Sequence, residues 1–236
     1  MGDRHQSSSR KGSGSEPVPS VAYCATSDQA RDLPVYLPPQ FNHPEHAATI
    51  MREHPLANLV TTDDSGFPFS AHLPLRLVKE DGKQLLLGHC ARANPLVGYL
   101  ERRPAALACF LGPHAYMSPR VYADVQRVPT WSYLAVHARV EARLLEGEEA
   151  KDALLKMLIA DHEPAYAAQW RSLPETYTTK MLLGIAAFEL GIKELQCAVK
   201  LNQHRPEAHA AMHANWAAGS PQEQALAGWM ERLGLA

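Results

Sequence analysis

The feature that most constrains the fold is a long stretch of alternating apolar and polar side chains, "SYLAVHARVEARLLE", at residues 132–146. Alternation over about 13 residues is typical of a β-strand with one buried face. Two shorter strand patterns, at residues 56–62 and 68–78, flank the turn sequence Asp64-Ser65-Gly66, which indicates a hairpin. Because strands joined by turns pair antiparallel, we expect a mainly β, α+β protein, an antiparallel barrel with flanking helices rather than a parallel sheet.

The rest of the folded region alternates short strands with helices. Pro74 indicates an edge strand or a bulge, and Gly191 indicates a bulge within a strand. Residues 113–131, rich in proline and aromatic side chains, are predicted to form a loop. Further strands are predicted at 83–88, 105–112 and 185–200, and helices at 43–54, 95–102, 148–162 and 174–183, with two polar helices at 206–235 around Gly219-Ser220-Pro221.

The chain is predicted to have three parts. Residues 1–34 are rich in serine, glycine and charge and lack the apolar segment of a secretory signal, so we expect a disordered extension. Residues 35–205 are expected to form one barrel domain with a helical insertion at about 147–184. Residues 206–236 are expected to form a helical tail.

Composition excludes several function classes. A net charge of −2 and a pI near 6.6 do not supply the basic field of an autonomous nucleic-acid binder. No run of about 18 apolar residues is present, so we expect no membrane span. The four cysteines are widely spaced and form no CxxC pair, which favours free thiols in the reducing cytoplasm.

Twelve histidines are many for 236 residues, but their spacing gives little support for a metal site. No HExxH motif is present, and in "HRPEAHAAMH" only His209 and His213 have the i, i+4 spacing that can share a metal on a helix. A polar helix face explains that pair equally well. We therefore predict no metal.

The segment "LLLGHCARANP" at residues 85–95 is the best local candidate for a ligand site. It predicts a strand, a short loop and a helix that begins at Asn94-Pro95. Asparagine is a good N-cap because its side chain accepts a hydrogen bond from a free backbone N–H group. Proline is tolerated at the first helical position because the N–H group that it lacks would have no partner there. Arg92 and His89 in the same loop could hold a phosphate together with the free N–H groups of the helix start. The alternative is an ordinary capped helix with a solvated arginine.

Five further segments form an ordered set along the chain: "VYLPPQF" (35–41), "GHCARANP" (88–95), "GPHAYMSPRVY" (112–122), "VPTWSYLAVH" (128–137) and "VKLNQHRP" (199–206). Taken in order, they resemble the PaiB-like family of FMN-binding negative transcriptional regulators. The resemblance covers the chain from about residue 35 to 235. It implies an antiparallel split β-barrel like that of pyridoxamine-phosphate oxidases, paired as a homodimer with FMN between the subunits.

The resemblance also implies which residues hold the cofactor. Arg92 and Asn94 would contact the flavin phosphate, and His89 the phosphate or the ribityl chain. The other implied contacts are His72, on a strand beneath the isoalloxazine ring, Thr130 and Trp131 near the ring, and Lys200 and Gln203, which could reach the partner subunit's flavin. For His72 and Trp131, ordinary packing in the core stays an open alternative. The sequence "ELQCAVKLNQ" departs from the glycine-lysine pair expected before the last motif.

The resemblance predicts a cytoplasmic FMN-dependent negative regulator of the PaiB type. DNA is a possible partner, although the charge gives it no support. The first alternative is an oxidoreductase that passes electrons from a nicotinamide donor through FMN. A weaker alternative, suggested by the histidine count, is a haem-binding or haem-degrading relative on the same barrel. No catalytic residue is predicted.

Overall fold

A computed structural model describes residues 36–80, 82–124 and 126–236. The extension predicted at residues 1–34 lies outside the described residues. Within them, seven strands form one antiparallel sheet, in the order β2-β1-β5-β6-β7-β4-β3. The strands are β1 (Leu56–Thr62), β2 (Pro68–Pro74), β3 (Arg76–Glu80), β4 (Lys83–Ala91), β5 (Ala105–Met117), β6 (Thr130–Leu145) and β7 (Ile185–Lys200).

The sheet curls into a barrel because its two edge strands are consecutive in the chain. β2 ends at Pro74 and β3 begins at Arg76, so the single residue Leu75 joins opposite edges of the sheet. Leu75 is fully buried, and its N–H donates to the carbonyl of Pro55 at 2.9 Å. Strand β2 also contacts β4, across the sheet order. The predicted antiparallel barrel with flanking helices is confirmed.

Seven α-helices flank the barrel in the described part of the chain. α1 packs against β3, β5, β6 and β7 and places Ile50 and Met51, both fully buried, in the core. α3, α4 and α5 lie between β6 and β7 in sequence, where the helical insertion is expected. The helices are α1 (Ala47–Glu53), α2 (Leu96–Arg102), α3 (Glu148–His162), α4 (Ala167–Ser172), α5 (Glu175–Leu183), α6 (Pro206–Ala217) and α7 (Pro221–Arg232).

Three local predictions differ from the structure. The single strand expected at residues 68–78 ends at Pro74, and a separate strand, β3, begins at Arg76. The expected loop at residues 113–131 begins later, because β5 continues to Met117 past a register shift between Leu111 and His114. The shift accommodates Pro113, which has no N–H for the ladder. Strand β7 is continuous at Gly191, and its irregularity lies at Lys193, since Arg139 pairs with Glu194 and Val140 with Ile192.

The C-terminal helices are more apolar in their contacts than their sequence indicates. α7 packs against β5 and against α6. Trp216, Trp229 and Met230 are each at most 3% exposed and belong to the same buried cluster as the barrel interior. The two helices therefore help to form the core.

Among the described residues, no helix combines the length and the apolar character needed to cross a bilayer.

Candidate functional site

The predicted site residues fall into separate parts of the molecule. His89, Arg92 and Asn94 lie at the end of β4 and in the loop before α2. Thr130, Trp131, Lys200 and Gln203 lie where β6 begins and β7 ends. His72 lies between them, exposed on β2 and paired with Asn58 of β1.

The loop after β4 is anchored to the helical insertion. The backbone N–H of Arg92 donates to the carbonyl of Gly184 at 2.9 Å, and the Arg92 side chain is exposed. The Oδ1 atom of Asn94 accepts a hydrogen bond from the N–H of Leu96 at 3.0 Å. Asn94 therefore caps α2 as its sequence predicts, and only its amide NH₂ end is left for a ligand.

A second cation, which sequence reasoning missed, lies at the same end of α5 as the Arg92 loop, since Lys151 contacts Leu182 and the Arg92 backbone contacts Gly184. Lys151 of α3 is only 5% exposed, and its Nζ atom donates one hydrogen bond, to the carbonyl of Leu182 at 3.0 Å. Burial lowers the pKa of Lys151, and the nearby positive charge of Arg92 lowers it further. Buried lysines are rare without a partner, and among the described residues the other two ammonium N–H groups of Lys151 have no hydrogen-bond acceptor. The Arg92–Lys151 pair is therefore suited to binding an anion.

A cavity of about 300 Å³ lies between the barrel and α3, and neither Arg92 nor Lys151 is among its lining residues. His89 on β4 lines it, together with Leu154 of α3 one turn after Lys151. Arg76 and Asp161 form an ion pair at its wall, with Nη2 and Oδ1 3.1 Å apart. The cavity therefore opens beside the predicted loop and is closed in part by the helical insertion.

The second group forms a connected polar and aromatic cluster. Lys200 Nζ donates to Thr130 Oγ1 at 2.9 Å and lies 5.7 Å from the ring centre of Tyr133. Burial lowers the pKa of Lys200. Trp131 Nε1 donates to His114 Nδ1 at 3.2 Å, and half of the Trp131 side chain is exposed. Gln203 is turned away from this cluster, since its amide donates to the carbonyl of Val199 and accepts from the N–H of Leu201.

A row of polar side chains crosses the outer face of five strands between the two groups. Residues directly opposite each other in antiparallel strands share a face. The registers place in one such row His72, Asn58, Cys109, His137 and Gln196. Gln196 is 7% exposed, and its Oε1 atom has no hydrogen-bond partner in the described part of the chain. Leaving a buried acceptor without a hydrogen bond costs free energy. A ligand that donates a hydrogen bond to Gln196 Oε1 would remove this cost, so this row of side chains is suited to binding one.

Two half-buried histidines make stability depend on pH. Burial lowers the pKa of both His89 and His137 from the usual value of 6.5. Between 6.5 and the lowered pKa, the unfolded chain binds more protons than the folded one, so stability falls as the pH falls. We expect urea unfolding midpoints to drop between pH 7.5 and 5.5, and to drop less in the double variant His89→Gln/His137→Gln. An equal drop in that variant would contradict the assignment.

The two groups are far apart along one strand. Ala91, which precedes the Arg92 loop, pairs with Ile185 at the start of β7, whereas Lys200 ends that strand. The fifteen residue steps from Ile185 to Lys200 correspond to about 50 Å measured along the strand. One chain therefore does not bring all of the predicted site residues together.

In sequence, this chain matches one family model and two individual proteins. The family model described as "Putative FMN-binding domain" matches residues 35–194. "Protease synthase and sporulation protein PAI 2" of Bacillus subtilis (strain 168) is 34% identical over 176 residues, 73% of this chain and 84% of that protein. "Uncharacterized protein YKL070W" of Saccharomyces cerevisiae is 35% identical over 102 residues, 41% of this chain and 59% of that protein.

Solved structures share the fold at low sequence identity. The FAD and haem binding protein from Mycobacterium smegmatis superposes with a TM-score of 0.54 at 17% identity, over 68% of this chain and 72% of its own. The flavocytochrome Anf3 from Azotobacter vinelandii gives a TM-score of 0.53 at 18% identity, over 69% of this chain and 71% of its own. These likenesses show a common split-barrel fold.

Proposed function

Because this chain belongs to the FMN-binding domain family and FMN is its cofactor, we propose that it is a homodimeric, FMN-dependent negative regulator of the PaiB type. The regulatory part rests on the resemblance to PaiB-like regulators and on the 34% identity to the Bacillus protein. The main support for FMN binding is the buried Lys151, which lies at the same end of α5 as the Arg92 loop. The free thiols of Cys90, Cys109 and Cys197 support a cytoplasmic location.

The residues at the end of β4 fit the phosphate of FMN. Arg92 can grip two phosphate oxygens with its planar guanidinium, and Lys151 adds a compact positive charge with free donors. Burial is the main cause of the lowered pKa of Lys151, with a smaller contribution from the positive charge of Arg92, and a bound dianion would offset both effects. Asn94 offers its amide NH₂ group at the same loop. His89 would line the cavity beside the ribityl chain.

The outer face of the sheet fits the flavin ring. The unpaired Oε1 atom of Gln196 needs a donor, and an isoalloxazine ring carries one N–H on its pyrimidine edge. Thr130, Trp131, Lys200 and His72 would lie around it, the tryptophan excluding water and the lysine holding positive charge near the ring. FMN supplies one- and two-electron redox chemistry, while these side chains set its access to solvent and its electrostatic surroundings.

A second copy of the chain accounts for the separation of the two groups. The outer face carries large apolar side chains that are about half or more exposed: Leu56, Leu111, Tyr116 and Trp131. Apolar and aromatic side chains are enriched in the centres of protein interfaces. Pairing across this face would cover them and would bring Lys200 and Thr130 of one subunit toward the Arg92–Lys151 pair of the other.

Titration of the purified full-length protein with FMN tests the binding proposal. We expect one FMN per chain, a shifted visible spectrum, and a dimer by sedimentation with and without the flavin. The Trp131→Phe variant, which keeps a ring but loses the hydrogen bond to His114, should retain binding and change the flavin fluorescence. A protein that stays monomeric, or that leaves the FMN spectrum unchanged, would refute the proposal.

Two further assays separate regulation from redox catalysis. Gel shifts on the promoter DNA of the protein's own gene, run at several salt concentrations, should show sequence-specific binding that responds to FMN. No specific shift at any salt would refute direct repression. Bleaching of the bound flavin by NADH or NADPH without oxygen, followed by reoxidation with an acceptor, would favour the oxidoreductase instead.

A further inference from the structure

Three potential metal ligands meet at the turn that leads into α1. His43, Glu45 and His46 each offer one donor atom, and all three donor atoms lie within 4.8 Å of one another. His43 Nδ1 is 3.0 Å and His46 Nε2 is 3.8 Å from Glu45 Oε1. The sequence predicted no metal, because the spacing i, i+2, i+3 of these residues is not a helical ligand spacing.

The backbone explains why these side chains converge. Pro44–His46 is a 3₁₀ turn, and His46 N–H donates to the carbonyl of His43 at 3.0 Å. His43 precedes the turn as its N-cap and His46 ends it, so the reversal of the chain at Pro44 brings the two imidazoles near each other. Their ring centres are 6.0 Å apart, and Glu45 lies next to them. Pro44 restricts the turn further by fixing its own φ.

The turn is held firmly by two other parts of the fold. His43 N–H donates to the carbonyl of Cys197 on β7 at 2.9 Å. The other ring nitrogen of His43 lies 3.4 Å from the side-chain amide of Gln203, and the ring of His46 packs edge-on against Trp229 of α7, 5.5 Å between centres. Because an amide NH₂ group only donates, His43 Nε2 accepts from Gln203 and the ring proton lies on Nδ1, toward Glu45, where a bound metal ion would displace it. The two contacts fix the orientation of the imidazole rings. The ligands are therefore positioned before any ion arrives.

We infer that His43, Glu45 and His46 form a binding site for a divalent transition-metal ion of the zinc type. Two imidazoles and one carboxylate are a ligand set that zinc takes with bond lengths of about 2.0–2.2 Å, which places the donor atoms about 3.3 Å apart. The distance between His43 and Glu45 is already within this limit, and that between His46 and Glu45 needs only a small side-chain rotation. Glu45 is 61% exposed, so further coordination positions open to water or to an external ligand.

The remaining histidine pair of the tail does not form a comparable group. His213 Nε2 contacts Glu231 at 2.8 Å, whereas His209 contacts the carbonyl of Asn202 at 3.1 Å. The two imidazoles thus have different partners. The His213–Glu231 pair offers two ligand types without a third and makes a matched control.

Zinc titration of the full-length protein, stripped with a chelator and followed by competition with a chromophoric chelator, tests this site. We expect Glu45→Gln, on an exposed side chain that folding does not need, to weaken binding at one site at least tenfold. The triple variant His43→Gln/Glu45→Gln/His46→Gln should bind one zinc ion fewer per chain, and His213→Gln should bind as many as the unaltered protein. Mg²⁺ should not compete.

Cobalt gives an independent readout, because Co²⁺ held by imidazole and carboxylate absorbs visible light according to its coordination. We expect a visible band that the triple variant lacks and His213→Gln retains. Equal zinc stoichiometry and equal cobalt spectra in the unaltered protein and the triple variant would overturn the inference. Since neither readout involves flavin, the result is independent of the proposed function.

Discussion

Replacing Arg92 by alanine is expected to weaken FMN binding by about 1.5–3 kcal/mol, the range for a hydrogen bond to a charged group. This corresponds to an affinity about 10- to 150-fold lower, measured by fluorescence titration. Lys151→Met should have an effect of the same order, because it removes the second cation from the anion site. The double variant should lose less than the sum, since both side chains are proposed to contact one phosphate group.

Stability measurements on the same variants separate binding from folding. Arg92 is exposed, so its removal should leave the unfolding free energy of the flavin-free protein nearly unchanged. Lys151→Met loses a hydrogen bond to Leu182 but also relieves a buried charge from the repulsion of Arg92, and these effects partly offset each other. Lys156→Met, on an exposed lysine of the same helix, is the control that should retain FMN affinity. Unchanged affinity in both Arg92→Ala and Lys151→Met would remove this pair from the site.

Replacing Trp216 by alanine is expected to destabilise the whole barrel by about 3–5 kcal/mol, the usual cost of removing a large buried aromatic side chain. Trp216 is 1% exposed and lies in the main buried cluster with Met212 and Met230. For a chain of this size, the loss corresponds to a fall in melting temperature on the order of 10 °C. Urea and thermal unfolding, followed by circular dichroism, measure it.

Trp131→Ala is the matched control for Trp216. Trp131 is half exposed on the outer face of the sheet, so its removal should cost less than about 1 kcal/mol of unfolding free energy when measured without flavin. Its effect should be seen in the association of subunits and in the flavin signal. A cost below about 1 kcal/mol for Trp216→Ala would show that α6 and α7 are peripheral to the core.

The regular elements were largely predictable because their signals are local. Periodicity identified β6, and it gave α3 its bounds, Glu148–His162, as the structure has them. The cap of α2 at Asn94 followed from one residue type at one position. The errors arose where long-range packing decides: β5 continues past Pro113 because β6 pairs with it beyond the bulge. Likewise, α6 and α7 look polar in sequence although their apolar stripe is buried.

The candidate sites divide in the same way. Sequence motifs predicted Arg92, Thr130 and Lys200 as site residues, but no local signal marked Lys151, one lysine in an ordinary amphipathic helix. Its significance comes from burial at the same end of α5 as the Arg92 loop, about sixty residues away in sequence. The segment "HPEH" could not be recognised as a ligand set from its sequence. Only the structure shows that the turn brings the donor atoms of His43, Glu45 and His46 within 4.8 Å of one another.

By itself, the sequence determined the order and type of the elements, because hydrophobic period, turn residues and caps act over a few residues. It also indicated FMN, through motifs distributed along the chain. The tertiary structure alone decided which residues come close. Examples are Lys151 and the Arg92 backbone at the end of α5, and the polar row ending at Gln196. It also decided the separation of the two groups of predicted site residues along β7. Contacts between distant residues depend on how the sheet closes and on strand register, which no short segment encodes.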